Sequence, residues 1–164
     1  MNDRTSVEYG SIPDDLKQRD HWVCWRVKRR DGKPTKIPVN ARTGGPAKSN
    51  DDETWSSFEK VREYHENEAT DTAGVGFVFS RDGRYAGIDL DDCVDPETRE
   101  VDDWARDIVE RLDSYTEFSP SGTGLHVIVE GLVPPDENRV GNVEMYDEGR
   151  FFTVTGDVGM GAPR

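Results

Sequence analysis

The apolar residues of this chain come in short β-branched and aromatic runs, each closed off by glycine, proline or aspartate, so strands and tight turns must supply most of its core. The clearest case is His21-Trp22-Val23-Cys24-Trp25-Arg26-Val27, followed by Asp31-Gly32 and then Lys36-Ile37-Pro38-Val39, which predicts a hairpin. Gly74-Val75-Gly76-Phe77-Val78-Phe79 and Tyr85-Ala86-Gly87-Ile88-Asp89-Leu90-Asp91 flank the turn residues Arg81-Asp82-Gly83-Arg84, which predicts a second antiparallel pair. Further strands are expected over 115–118, 125–130, 143–146 and 151–155. Helical signals are fewer. Ile12-Pro13-Asp14-Asp15-Leu16 suits one short turn. Ser49 to Glu53 offer capping and first-turn acids for a helix carrying Trp55, Phe58, Val61 and Tyr64, and a further helix starts near Asp102 with Trp104, Ile108, Val109 and Leu112 on one face. The expected fold is therefore α/β or α+β: a recognition-motif-like antiparallel or mixed sheet with a few helices on a face.

With 164 residues and 33% hydrophobic content, the chain suits one domain with a modest core. It has no apolar run near the roughly 20 residues of a membrane helix, and Met1-Asn2-Asp3-Arg4 does not open a signal segment, so a cytoplasmic protein without membrane contact is expected. Cys24 and Cys93 lack the paired spacing of a zinc knuckle and read as small core residues. The formal charge of -13 is unlike the basic footprint of most nucleic-acid-binding proteins. Its distribution is uneven, however: Arg26, Lys28, Arg29, Arg30, Lys33, Lys36, Arg42 and Lys48 cluster within 25–48 against the single acid Asp31. Elsewhere acids dominate, as suits a soluble monomer working in high salt, and a halophilic source is the expectation. The basic cluster reads equally well as a solvated hairpin.

Three segments carry the candidate chemistry. Asp89 and Asp91 stand two apart on a predicted strand, so both leave one face with roots about 7 Å apart, while Ile88 and Leu90 face the other way. Such a pair suits Mg²⁺ or Mn²⁺, but it also occurs in sugar-nucleotide transferases, phosphatases and plain strand ends. Ser119-Pro120-Ser121-Gly122-Thr123-Gly124-Leu125-His126 runs straight into an apolar strand; Gly122 and Gly124 let the backbone approach an anion, and Ser121 and His126 add donors. Val143-Glu144-Met145-Tyr146 places an acid between apolar neighbours, where Glu144 needs a cation. Asp147 and Glu148 fall in the next turn and read as solvated. Arg150 suits either a phosphate or a surface ion pair.

In order and chemistry these segments resemble the signature of the archaeo-eukaryotic primase superfamily: an apolar-flanked Asp-x-Asp, then Ser-x-Gly-x-His, then an apolar-flanked acid. Gly87 to Asp92, Ser119 to His126 and Glu144 to Gly156 are most similar to phage- and plasmid-type DNA primase-polymerases, and Lys36-Ile37-Pro38 and Trp55-x-x-Phe58 add to the likeness. The resemblance runs from about Trp22 to Gly156. It implies a polar lead-in over 1–20, a catalytic domain over 21–157, and a tail over 158–164 that is the expected truncation point before further domains. It implies that Asp89, Asp91 and Glu144 hold two catalytic metals, Mg²⁺ or Mn²⁺, and that Ser121 and His126, with Gly122, Gly124 and Arg150 nearby, contact the incoming nucleoside triphosphate. Arg29, Arg30, Lys33 and Lys36 would then meet DNA template or primer phosphates, and a helicase or helix-bundle region downstream is the implied partner. The implied activity is template-directed nucleotidyl transfer to a 3'-hydroxyl. The rival expectations are a degenerate primase-like nucleic-acid-binding module and a metal-dependent nuclease.

Overall fold

A computed structural model describes residues 4–133 and 139–158; of the expected tail, all but Val158 lies outside them. The fold is mixed α+β, with few helices and two antiparallel sheets. The first sheet has the order β2-β1-β3-β9, from Lys33–Val39 (β2), Trp22–Arg30 (β1), Gly74–Phe79 (β3) and Arg150–Val154 (β9). The second has the order β5-β6-β4-β8-β7, from Tyr115–Phe118 (β5), Leu125–Glu130 (β6), Tyr85–Leu90 (β4), Val143–Tyr146 (β8) and Arg139–Val140 (β7).

The β1–β2 hairpin forms as its sequence predicts. Arg30 pairs with Lys33, leaving Asp31 and Gly32 as a two-residue loop with φ of 52° and 77°, the left-handed pair that matches strand twist. The second expected hairpin does not form. β3 is flanked by β1 and β9, and β4 by β6 and β8, so the two runs lie in different sheets. Between them Ser80 caps a 3₁₀ turn over Arg81–Gly83, and Arg84 at φ 60° turns the chain from one sheet to the other. The sheets meet where β4 has no side chain: a Cβ on Gly87 would lie 2.5 Å from the rings of both Phe79 and Phe152. Phe77, Phe79, Phe152 and Trp22 fill the space between them, with Val61 and Phe58 from a helix over Phe58–Glu66 (α2).

That helix starts later than its apolar spacing predicts. Ser57 accepts the Lys60 N–H as the N-cap, whereas Asp51 caps a separate 3₁₀ turn over Asp52–Thr54. Trp55 lies between the two and packs with Val23 and Val78 on the other face of the first sheet. A short helix over Asp14–Lys17 (α1) buries Leu16, with Ile12 beside it in the core. The helix over Asp103–Leu112 (α3) turns Ala105 and Val109 onto Ile88 and Leu90 of β4, while Trp104, expected on the same stripe, is exposed. Both cysteines are buried free thiols whose pKa burial pushes up to about 12. Among the described residues, no helix is long and apolar enough to cross a membrane.

The second sheet follows the recognition-motif-like expectation: β4, α3, β5 and β6 run in sequence as strand, helix and two strands, the short β7 and then β8 complete the sheet, and β4 is its central strand. α3 covers one face. The other face carries the polar residues.

Candidate active site

Pairing register assembles a row of polar side chains across all five strands of the second sheet. Glu117 on β5 is opposite His126 on β6, His126 is opposite Asp89 on β4, Asp89 is opposite Glu144 on β8, and Glu144 is opposite Arg139 on β7. Directly opposed residues share a face with Cβ atoms about 5 Å apart, so the register itself converges these groups. The row is buried at one end and open at the other, from 1% side-chain exposure at Glu117 to 67% at Arg139, with His126, Asp89 and Glu144 in between.

Glu117 anchors the buried end. Its carboxylate accepts the Thr155 N–H at 3.0 Å, the Gly156 N–H at 2.9 Å and the Tyr115 O–H at 2.7 Å, tying the chain after β9 to β5. His126 comes next, with Nδ1 3.2 Å from the Thr153 carbonyl oxygen and its ring stacked 4.5 Å from Phe152. A carbonyl only accepts, so Nδ1 carries the hydrogen and Nε2 is left facing Asp89, 3.8 Å away. Burial pushes the Asp89 carboxyl up to about 6; His126 pulls it down, and the Asp91 and Glu144 carboxylates push it further up. Asp91 follows one residue beyond β4, with its N–H donating to Asn142 O. Glu144 is paired with Arg139 at 3.2 Å.

Asp89 and His126 line a cleft of about 380 Å³ whose other wall belongs to the first sheet, with Lys36, Arg150, Phe151 and Thr153. Lys36, grouped in sequence with the hairpin cations, is thus separated from them. Its ammonium lies 5.5 Å over the Trp25 ring, and desolvation lowers its pKa while the Asp89 carboxylate raises it. Arg150 sits at the rim, 5.0 Å over the Tyr146 ring. Arg29, Arg30 and Lys33 remain exposed at the hairpin tip.

The Ser119–Gly124 loop lies outside this cleft, packed against the end of β4 beside Asp91. Cys93 and Val94 donate their N–H groups to Thr123 O, and a Cβ on Gly124 would meet Leu90 O at 2.6 Å. Ser121 Oγ stands 3.0 Å from Ser119 Oγ and 2.9 Å from Thr123 Oγ1, and Gly122 turns the loop at φ 78°. The loop hydroxyls therefore bond to one another, on the Asp91 side of the acids. Asp147, expected in solvent, is buried, and accepts from Arg81 at 2.7 Å and from the Val133 N–H.

Sequence reading missed Glu117, Arg139 and Thr153. Glu117 had a weaker signal, an acid on a short strand beside the apolar Phe118 but preceded by the polar Thr116, where Glu144 has apolar residues on both sides. Among the described residues, no three His, Cys, Asp or Glu side chains are placed to hold a metal ion together. The clustered carboxylates still suit Mg²⁺ or Mn²⁺, which take one or two acids and fill their remaining positions with water and substrate phosphate. Asp89, desolvated and beside the like charges of Asp91 and Glu144, is also a donor that a cation relieves.

No protein-family model matches the sequence. Over 155 residues the chain is 36% identical to a protein named DNA primase-polymerase from Nitratiruptor phage NrS-1, an alignment that takes in 87% of this chain and 20% of that protein. The chain thus spans about a fifth of the length of the curated relative it matches. The likeness to that primase-polymerase takes in nearly the whole chain.

Proposed function

We propose that this chain carries the nucleotidyl-transfer centre of a DNA primase-polymerase, in which a 3'-hydroxyl on a DNA template attacks the α-phosphorus of a nucleoside triphosphate and pyrophosphate leaves. The observation that carries the reading is the row across the second sheet, which brings Asp89, Glu144 and His126 side by side with Asp91 just beyond the strand, and of which Asp89 and His126 line a cleft that also holds Lys36 and Arg150. Asp89, Asp91 and Glu144 would hold Mg²⁺ or Mn²⁺. A bound divalent ion would supply charge stabilisation at the reacting phosphate and its attacking and leaving oxygens.

The chain's own residues do the rest. The Thr153 carbonyl and the Phe152 ring fix His126, so its Nε2 is held beside Asp89 at the cleft, where it would donate to a phosphate oxygen once it carries a proton. Lys36 and Arg150 supply positive charge against the polyphosphate. Ser121, Gly122 and Gly124 would serve the Asp91 side of the acids after a rearrangement, since the Gly122 and Gly124 N–H groups donate to Ser119 and the Ser121 hydroxyl bonds to its loop neighbours. A larger groove continues past Ser49 and Gly149, but its lining sets Asp20, Asp51, Asp52, Asp82 and Glu148 against Arg19 and Arg81. That balance disfavours a phosphate chain, so Arg29, Arg30 and Lys33 on the hairpin are the better template contacts.

Primer extension with purified protein tests the reading. Asp89→Ala, Asp91→Ala and Glu144→Ala should each lower incorporation by on the order of 100-fold or more with the circular dichroism of the fold retained, and the losses should not add. A folded Asp89→Ala protein that extends primers near normally would remove this site from consideration.

A further inference from the structure

β7 buries almost nothing. It is two residues long, stands at the edge of the second sheet beside β8, and leaves both side chains exposed, Arg139 at 67% and Val140 at 70%. The loop Gly141-Asn142, with Gly141 at φ 58°, folds it back onto β8, and Asn142 O accepts the Asp91 N–H, which fixes this hairpin against the end of β4. A strand that adds so little to the core serves chiefly to position Arg139. The Arg139 guanidinium lies 3.2 Å from Glu144, but a pair so open on the arginine side stabilises a fold little.

That pairing conflicts with the use of Glu144 as a metal ligand. Among the described residues no three acids are placed to hold an ion together, and Glu144 gives its carboxylate to Arg139. A divalent cation drawn to Asp89, Asp91 and Glu144 competes with the guanidinium for that carboxylate and repels it at close range. Arg139 then needs another anion. The order of the row limits which one. His126 stands on one side of Asp89, and Glu144 and Arg139 stand on the other. Of these four, the cleft takes in only Asp89 and His126, so Arg139 lies beyond the space assigned to the triphosphate. In-line displacement sets the attacking 3'-hydroxyl and the leaving pyrophosphate on opposite sides of the α-phosphorus. With pyrophosphate leaving on the His126 side, the primer strand arrives from the β7 side. Arg139 stands two strand spacings, roughly 10 Å, from Asp89, a span that one nucleotide and an extended arginine side chain bridge.

We propose that Arg139 is a primer-strand contact, leaving Glu144 when the cations bind and taking the last phosphodiester of the primer. The proposal rests on the nucleotidyl-transfer reading and gives it a direction: triphosphate at the His126 end of the row, primer at the β7 end. The last phosphodiester is the primer charge nearest the 3'-hydroxyl, so a guanidinium fork on its two free oxygens sets the approach of that hydroxyl to the α-phosphorus. Before the cations arrive, the same guanidinium balances the charge of Glu144.

The test uses a primed DNA hairpin whose last primer linkage is either a phosphodiester or a neutral methylphosphonate. Its binding in Mg²⁺ to the full chain and to Arg139→Met is read by fluorescence anisotropy. The parent should bind the methylphosphonate hairpin about tenfold more weakly, the loss of one charge-assisted contact, and Arg139→Met should bind both hairpins alike at that weakened level. In primer extension, Arg139→Met should raise the KM for primer about tenfold while the KM for the nucleoside triphosphate stays within about twofold of the parent. Without DNA, Mn²⁺ should bind Arg139→Met about twofold or more tightly than the parent, because a competing cation is gone. A parent indifferent to the methylphosphonate would overturn the contact, as would a methylphosphonate penalty that persists in Arg139→Met. A nucleotide KM that rises as much as the primer KM would move Arg139 to the triphosphate and also overturn it. Weaker Mn²⁺ binding in the variant would make Arg139 a support for the acids and rule out the exchange. A parent that incorporates no nucleotide on a primed template would remove the nucleotidyl-transfer reading itself, whereas an active parent with any of the preceding results loses the primer contact alone.

Discussion

Replacing Glu117 with alanine tests whether the buried end of the polar row holds the fold together. The carboxylate is fully buried and takes two backbone N–H groups, from Thr155 and Gly156, together with the Tyr115 hydroxyl. Tyr115 is half-buried and can turn its hydroxyl to water. The two amides are buried, and among the described residues neither has another partner. Each orphaned amide costs about 1–3 kcal/mol, and a charged acceptor sits at the upper part of that range, so the expected loss is about 3–5 kcal/mol. For a domain of this size that corresponds to a fall in Tm of about 6–20 °C. Glu117→Gln keeps the shape and one acceptor oxygen and should lose about half as much. Urea unfolding at pH 7 gives the free energy, and amide hydrogen exchange gives the location, since the Thr155 and Gly156 amides should exchange much faster in Glu117→Ala. An alanine variant within about 1 kcal/mol of the parent, with both amides still protected, would refute the anchoring role.

Gly87→Ala should destabilise the protein by about 1–3 kcal/mol in denaturant unfolding, because its Cβ has to displace the Phe79 and Phe152 rings on which the sheets close; unchanged stability would mean that the sheets are not packed there. Asp89→Asn should stabilise the metal-free protein at neutral pH. The folded carboxyl is raised from 3.8 to about 6, so its contribution is most favourable below about pH 4, is lost as pH rises through about 6, and is a penalty on the order of 2 kcal/mol beyond. Stability curves of parent and variant should accordingly meet near pH 4 and separate above it, and parallel curves would contradict the shift. Replacing Arg29, Arg30 and Lys33 together with glutamine should weaken single-strand DNA binding uniformly across sequences, with the slope of log affinity against log salt flattened by about 0.7 per lost contact. An unchanged slope would make the hairpin a solvated surface and send the template path elsewhere.

Much of this protein is written locally. Asp31-Gly32 specifies a two-residue hairpin loop because few other residue pairs accept two left-handed conformations, and the β1–β2 register follows from it. Ile88 and Leu90 alternating with Asp89 already separate a core face from a polar face, because strand side chains alternate whatever the strand pairs with. What no local pattern contains is the choice of neighbour. The Asp82-Gly83 signal between β3 and β4 reads as a hairpin turn, yet each of those strands finds both of its partners far away in sequence, because two sheets closing over Gly87 bury more aromatic surface than one isolated pair. The same long-range register puts Glu117 behind His126, draws Lys36 away from the hairpin cations and into the cleft, and leaves the Thr153 hydroxyl buried beside it. Residue type and spacing determined which side chains share a face, since that depends only on backbone period. Tertiary structure alone decided which faces meet, since that depends on how aromatic volume and bare glycine backbone fit together across the two sheets.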